Sequence, residues 1–243
     1  MNRLTGSLTA EFIGTFALTF IGAGAIITTT WTGGEPGLVG IALAHGLALS
    51  IVVSATMNIS GGHINPAVTL AMWATGRIKA GPAISYILAQ CAGATIAGLL
   101  LAAVFRGIGA GPGLTGAAAA AKCMLGTPNF GDPVSPFLAV VVEAVLTFLL
   151  VFAIFGTAVD PRAPRIGGFG IGLAVAFDIL MGGPITGASM NPARTIGTLI
   201  GGGSTTAALW SQHWVYWAGP VGGALLAAFL YEALILEKGK RSS

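Results

Sequence analysis

Apolar residues run along this chain in long unbroken stretches rather than in alternation with polar ones. Six of these stretches, at residues 8–28, 38–57, 83–104, 137–157, 168–183 and 214–235, approach the length a helix needs to cross a bilayer. Nearly all charged side chains fall in the loops between them. The pattern predicts six transmembrane helices. The first stretch is long, weakly flanked and without a small-residue cleavage site, so it reads as a span rather than a signal peptide. Two further apolar segments, 67–73 and 193–200, are too short to cross, and each follows a glycine-rich run.

Composition makes the bilayer the solvent. Only 8% of the 243 residues are charged and 54% are apolar, whereas a soluble domain carries about 25% charge. So few charges could not cover a water-facing surface. The net charge of +3 matters less than its placement. With both termini cytoplasmic, Arg3, Arg77, Lys79, Arg162, Arg165, Lys238, Lys240 and Arg241 lie inside, and Arg106 and Lys122 outside. That distribution follows the positive-inside rule and predicts a multi-pass protein of the cell membrane with cytoplasmic termini. Charges this scattered offer no surface to nucleic acid. Cys91 and Cys123 form no CxxC pair and lie in different parts of the pattern, so both read as structural, with no disulfide, metal or cofactor implied. No motif pairs a nucleophile with a base, and no enzyme is expected.

The chain also repeats itself. Glu11, Thr15, Phe16, Leu18 and Phe20 match Glu143, Thr147, Phe148, Leu150 and Phe152 in order and spacing. Gly46 precedes Asn65 by the same interval as Gly172 precedes Asn191, and Tyr86, Gly93, Ala94 and Ala97 match Tyr216, Gly223, Ala224 and Ala227. One transmembrane domain of two repeats, about 1–105 and 137–243, is expected, joined by an outer loop without a signature of its own. Three spans per repeat turn the second copy upside down, and such inverted repeats place a site between them near the midplane.

Each repeat carries Asn-Pro-Ala, as Asn65, Pro66, Ala67 and as Asn191, Pro192, Ala193. Asparagine is a preferred N-cap and proline suits the first turn of a helix, so each motif opens a half-helix. Entering from opposite faces, the two N-termini meet at the midplane, each with a positive partial charge of roughly half a unit. Irregular backbone at that depth survives only inside protein or along a watery cavity. Gly61, Gly62, His63 and Ile64, with Gly187, Ala188, Ser189 and Met190, are expected to line such a cavity with carbonyl acceptors, and the asparagine amides to supply donors at its centre. One such motif would be read as a capped turn; two at matching positions describe a lane for a small neutral polar molecule.

With the six spans and paired glutamates, "SGGHINPAV" and "TGASMNPAR" resemble the aquaporin, or major intrinsic protein, family over essentially the whole chain. The resemblance implies an all-α membrane protein: a right-handed bundle of six tilted helices plus two re-entrant half-helices, with a pore in every subunit of a homotetramer. It further implies that Glu11 and Glu143 brace the re-entrant loops, and that His45, Ile179, Ala188 and Arg194 form the selectivity constriction. Histidine followed by isoleucine there is similar to plant tonoplast intrinsic proteins. Arg194 would repel cations, and His45 beside it would act as a neutral hydrogen-bonding wall. The expected function is passive single-file conduction of water with exclusion of protons and ions. The alternative is the same fold also passing ammonia, hydrogen peroxide, urea or glycerol. An ion-coupled transporter or a non-conducting junction protein is disfavoured by the lack of a carboxylate set for a coupling ion. Thr195 after the second motif and the pair Tyr216 and Trp217 argue against a glycerol facilitator. Among the other polar residues, Asp178 is expected to cap or contact backbone at the outer end of the fifth span, His63 to brace its loop or face the pore, and His213 to sit at the membrane interface.

Overall fold

The computed structural model describes residues 3–236. Lys238, Lys240 and Arg241, with the side chain of Arg3, lie outside the described residues. The described residues build nine α-helices and no β-strand: α1 (Arg3–Trp31), α2 (Gly37–Thr56), α3 (Pro66–Ala74), α4 (Ala80–Gly107), α5 (Gly116–Lys122), α6 (Pro136–Ile154), α7 (Phe169–Thr186), α8 (Pro192–Gly202) and α9 (Val215–Leu234). Six of these elements are long and apolar enough to cross a membrane. The order long, long, short, long occurs twice, with α5 in the connection.

Helix ends follow local chemistry. Ser135 accepts the amide of Leu138 and starts α6 ahead of Pro136, while Gly187, in the left-handed region at φ 79°, stops α7. Helix α1 packs on α4 and α6 on α9, while α2 lies against α7 and α8 against α4. Glycines that match between the two repeats permit these approaches. A Cβ on Gly172 would lie 2.1 Å from the Gly46 carbonyl oxygen, and one on Gly223 would lie 2.0 Å from that of Ala144. The apolar side chains outside the core, such as Phe137 at 78% exposure and Ile51 at 68%, face outward, where lipid replaces water as the contacting phase.

Within the connection 105–136, Thr115 caps α5 through the amide of Ala118, and α5 packs on α1 and α4. One expectation is corrected: Asp178 is not at a helix end. It lies inside α7, buried, and neither carboxylate oxygen has a hydrogen-bond partner among the described residues. It projects from the same turn as Ile179, so the face it takes follows from how α7 packs, which sequence position does not reveal.

Candidate functional site

The two short helices begin as their sequences require. Asn65 (φ −156°, ψ 125°) caps α3, its Oδ1 accepting the amide of Ala67 at 2.9 Å, and Pro66 occupies the first turn. Asn191 caps α8 in the same way, accepting from Ala193 at 3.1 Å and Arg194 at 3.2 Å. The other half of each amide crosses between the repeats. Asn65 Nδ2 donates to the Met190 carbonyl at 2.7 Å, and Asn191 Nδ2 donates to the Ile64 carbonyl at 2.9 Å. The half-helix N-termini are therefore tied together. An amide nitrogen carries two donors; the second on each asparagine has no partner among the described residues, and both asparagines line the lumen. Aspartate could cap but not donate across, which is the physical reason for asparagine.

The crossing bonds need carbonyls turned inward, and the backbone bends to supply them. Ile64 at φ 55°, Met190 at 53° and Ala188 at 42° sit in the left-handed region that non-glycine residues rarely adopt. Such strain persists where surrounding bonds over-determine it. Two buried glutamates supply those bonds. Glu11 accepts from the Ser60 hydroxyl at 2.6 Å, the His63 and Ile64 amides at 2.9 and 2.6 Å, and the Gln90 amide at 2.7 Å. Glu143 accepts from the Thr186 hydroxyl at 2.7 Å and from the Ser189 and Met190 amides at 2.9 and 2.8 Å. Hydrogen bonds to a charged acceptor are worth about 1.5–3 kcal/mol each, enough to hold an unfavourable turn.

The sequence reading missed part of this bracing. Tyr86 and Tyr216 donate to the carbonyls of Ser60 and Thr186, at 3.0 and 2.7 Å. Their match in the repeat was visible, and polarity within a span was the signal that could have assigned them. Gln90 also reaches Thr69 Oγ1 at 2.9 Å and has no counterpart in the second repeat, where Pro220 stands. His63 combines both of its expected roles: its Nδ1 lies 3.1 Å from Thr69 Oγ1, and its side of the loop lines the lumen. His213 accepts from Trp217 Nε1 at 3.0 Å beside the exposed Trp214.

A cavity of about 360 Å³ opens on the side of Lys122, and a narrow lumen continues inward past the asparagines. His45, Ile179 and Arg194 line both, so the two spaces meet at these three side chains; Ala188 lines the lumen just beneath. The His45 Nδ1 lies 2.9 Å from the Ile41 carbonyl, which can only accept, so Nδ1 carries the proton and Nε2 faces Arg194 Nη2 at 3.5 Å. Arg194 Nη1 is buried without a partner among the described residues, an unspent donor at the narrowing. Of the eight backbone positions expected along the lane, Gly61, Gly62 and His63 line the inner mouth or lumen, and Gly187 to Met190 the outer cavity or lumen. Ile64 differs: it is fully buried, its side chain packs on Gly14, and its carbonyl is taken by Asn191 and by Thr15 at 3.3 Å. Cys123 lines the outer cavity, closer to the path than a purely structural cysteine.

At the end where α9 stops, Asp160 accepts from Arg162 Nε at 3.0 Å, Arg162 Nη2 at 2.7 Å and the Tyr231 hydroxyl at 3.1 Å, and Arg162 donates to the Ile235 carbonyl at 2.9 Å. The Arg162 bonds hold the Asp160 carboxyl well below the usual carboxylate range. Arg77 pairs with Glu232 and lies over the Phe155 ring. The loops carrying Arg77 and Arg162 thus share one end of the molecule with the C-terminus of α9.

Six spans around two half-helices whose N-termini meet beside a continuous narrow path define a membrane channel. A family model described as major intrinsic protein matches residues 2–231. Aquaporin TIP4-4 of Zea mays is 42% identical over 238 residues, covering 95% of this chain and 86% of that one. Probable aquaporin TIP3-2 of Arabidopsis thaliana is 42% identical over 243 residues, covering 93% and 82%. In fold, the chain is similar to the X-ray structure of the aquaglyceroporin from Plasmodium falciparum, with a TM-score of 0.82 at 23% identity over 96% of this chain and 97% of that one. The chain belongs to the major intrinsic protein family and is a multi-pass, passive channel of the aquaporin type.

Proposed function

We propose that the channel conducts water in single file, rejects protons and ions, and also passes ammonia. The observation that carries this reading is the narrowing where His45, Ile179 and Arg194 meet, with Ala188 beneath. One wall offers guanidinium donors and an imidazole acceptor, and the opposite wall is apolar. Water passes by exchanging hydrogen bonds with Arg194 and then with the free amide donors of Asn65 and Asn191. Cations meet the Arg194 charge and then two helix N-termini. Ammonia, close to water in size but less strongly hydrated, is penalised less by the Ile179 wall, while ammonium is turned away. Glycerol passes slowly if at all.

The same proposal treats the molecule as one channel domain of two inverted repeats, 1–105 and 137–243, acting without catalytic residues or cofactor in a homotetramer of the cell membrane. Both termini are cytoplasmic, supported by Arg77 and Arg162 gathering at the end opposite Lys122. The test is stopped-flow swelling of proteoliposomes for water, and internal alkalinisation under an ammonium gradient for ammonia, comparing the parent with Ile179→His. Water flux above empty liposomes, with an ammonia signal that falls in the variant, is the expected result. An ammonia signal equal to that of empty liposomes, or unchanged by Ile179→His, would return the protein to strict water conduction.

A further inference from the structure

The imidazole at the narrowing is held on three sides. Its Nδ1 is anchored to the Ile41 carbonyl on its own helix and its Nε2 faces Arg194. The third side is a glycine of α1. A Cβ on Gly22 would lie 2.3 Å from both Cδ2 and Nε2 of His45 and 2.8 Å from Cε1, distances no side chain tolerates. The ring edge occupies the space where any other residue would carry its first carbon. Nothing in the backbone calls for glycine there: Gly22 lies inside α1, away from its ends, and is absent from the positive-φ positions. Glycine inside a helix costs about 1 kcal/mol relative to alanine, so space is what this one contributes. Two residues on, the contrast is plain, because a Cβ on Gly24 would meet only the end of the Leu101 side chain, at 3.3 Å.

We infer that Gly22 is a positioning residue that sets the bore of the constriction, by giving the His45 ring a seat against the α1 backbone and keeping it out of the lumen. The imidazole is rigid and its Nδ1 is tethered. A group added behind it drives the ring away from α1, toward the side shared with Ile179 and Arg194, where it narrows the path and breaks its register with Arg194. Solute range is thereby decided partly by a residue that touches no solute. This inference rests on the channel reading above and deepens it.

The test is a double-mutant cycle in proteoliposomes with Gly22→Ala, His45→Ala, the double variant, and Gly24→Ala as a control on the same helix. Overpacking of this kind translates to at least about a fivefold loss of water permeability in Gly22→Ala, with the water-to-ammonia ratio also changed. Gly24→Ala should stay within about twofold of the parent, and Gly22→Ala added to His45→Ala should change neither solute by more than about twofold. Equal permeabilities for Gly22→Ala and the parent, or the same fold-loss with and without His45, would overturn the inference. Thermal unfolding of the parent and the same four variants reads the contact independently. Gly22→Ala should lower Tm when His45 is present and leave it level or raise it when His45 is alanine, and a fall of equal size in both backgrounds would also overturn the inference. A parent moving no water above empty liposomes would instead sink the channel reading, leaving the Tm cycle to judge the Gly22–His45 contact.

Discussion

At the scale of single residues, the two asparagines do two jobs with one amide: Oδ1 caps a half-helix and Nδ2 ties the opposite loop. Separating these jobs is informative. Asn191→Asp keeps the cap acceptor, loses the donor to Ile64 and brings a negative charge to the midplane, so water permeability should fall by about tenfold or more. Asn191→Leu loses both functions and should abolish conduction. Swelling rates normalised to protein in the vesicle check both, and a conducting leucine variant would remove the asparagine from the path. Arg194→Val takes away the fixed charge shared by both cavities and should leave water flow while admitting cations and protons. Equal, vanishing proton leak in parent and variant would show that the half-helix N-termini suffice. Cys123 lies along the outer cavity, so a mercurial should partly obstruct the vestibule, and Cys123→Ser should make the channel insensitive. Mercurial block that survives the serine variant would assign the reactive site to Cys91.

At the scale of elements, each re-entrant loop is held by a buried carboxylate and a tyrosine from neighbouring long helices, and it is this bracing that lets Ile64 and Met190 keep positive φ. Glu143→Leu takes the acceptor from the Ser189 and Met190 amides, at about 1–3 kcal/mol for each group left unsatisfied. It should lower Tm and conduction together, whereas Tyr216→Phe, losing one hydrogen bond to Thr186, should cost about 1 kcal/mol and leave water flow measurable. The loop carrying Arg162 is latched differently. Because the Asp160 carboxyl is held low by Arg162, its stabilising contribution is present above the ordinary carboxylate value of 3.8 and is lost only as pH falls through the depressed folded value. Asp160→Asn should therefore lower Tm by the same amount at pH 6 and pH 8. A loss that varies across that interval would mean another group governs the latch.

At the scale of the whole molecule, the two repeats are interlocked rather than merely adjacent. Helix α8 of the second repeat packs on α4 of the first, α3 of the first packs on α9 of the second, and the asparagine bonds cross between them. The lumen is lined by residues of both halves and joins the cavity on the Lys122 side, so water flux should be unchanged when ion gradients are collapsed with ionophores. A flux that tracks an ion gradient would point to coupling.

The sequence by itself determined whatever depends on local composition and spacing. Long apolar runs give six spans because unpaired backbone in lipid must be satisfied within a helix, and Asn-Pro gives a helix start because capping and proline geometry act within a few residues. The repeat marked Glu11 and Glu143 as a pair, and the resemblance suggested what they hold. Tertiary structure decided what depends on which faces meet. Only packing turned Asp178 inward with no hydrogen-bond partner among the described residues, placed Cys123 on the outer cavity, spent the Ile64 carbonyl on Asn191, and set the His45 ring over Gly22. A glycine in a span reads alike whether it serves helix contact or a ring's seat, because the atom that decides between them belongs to another helix.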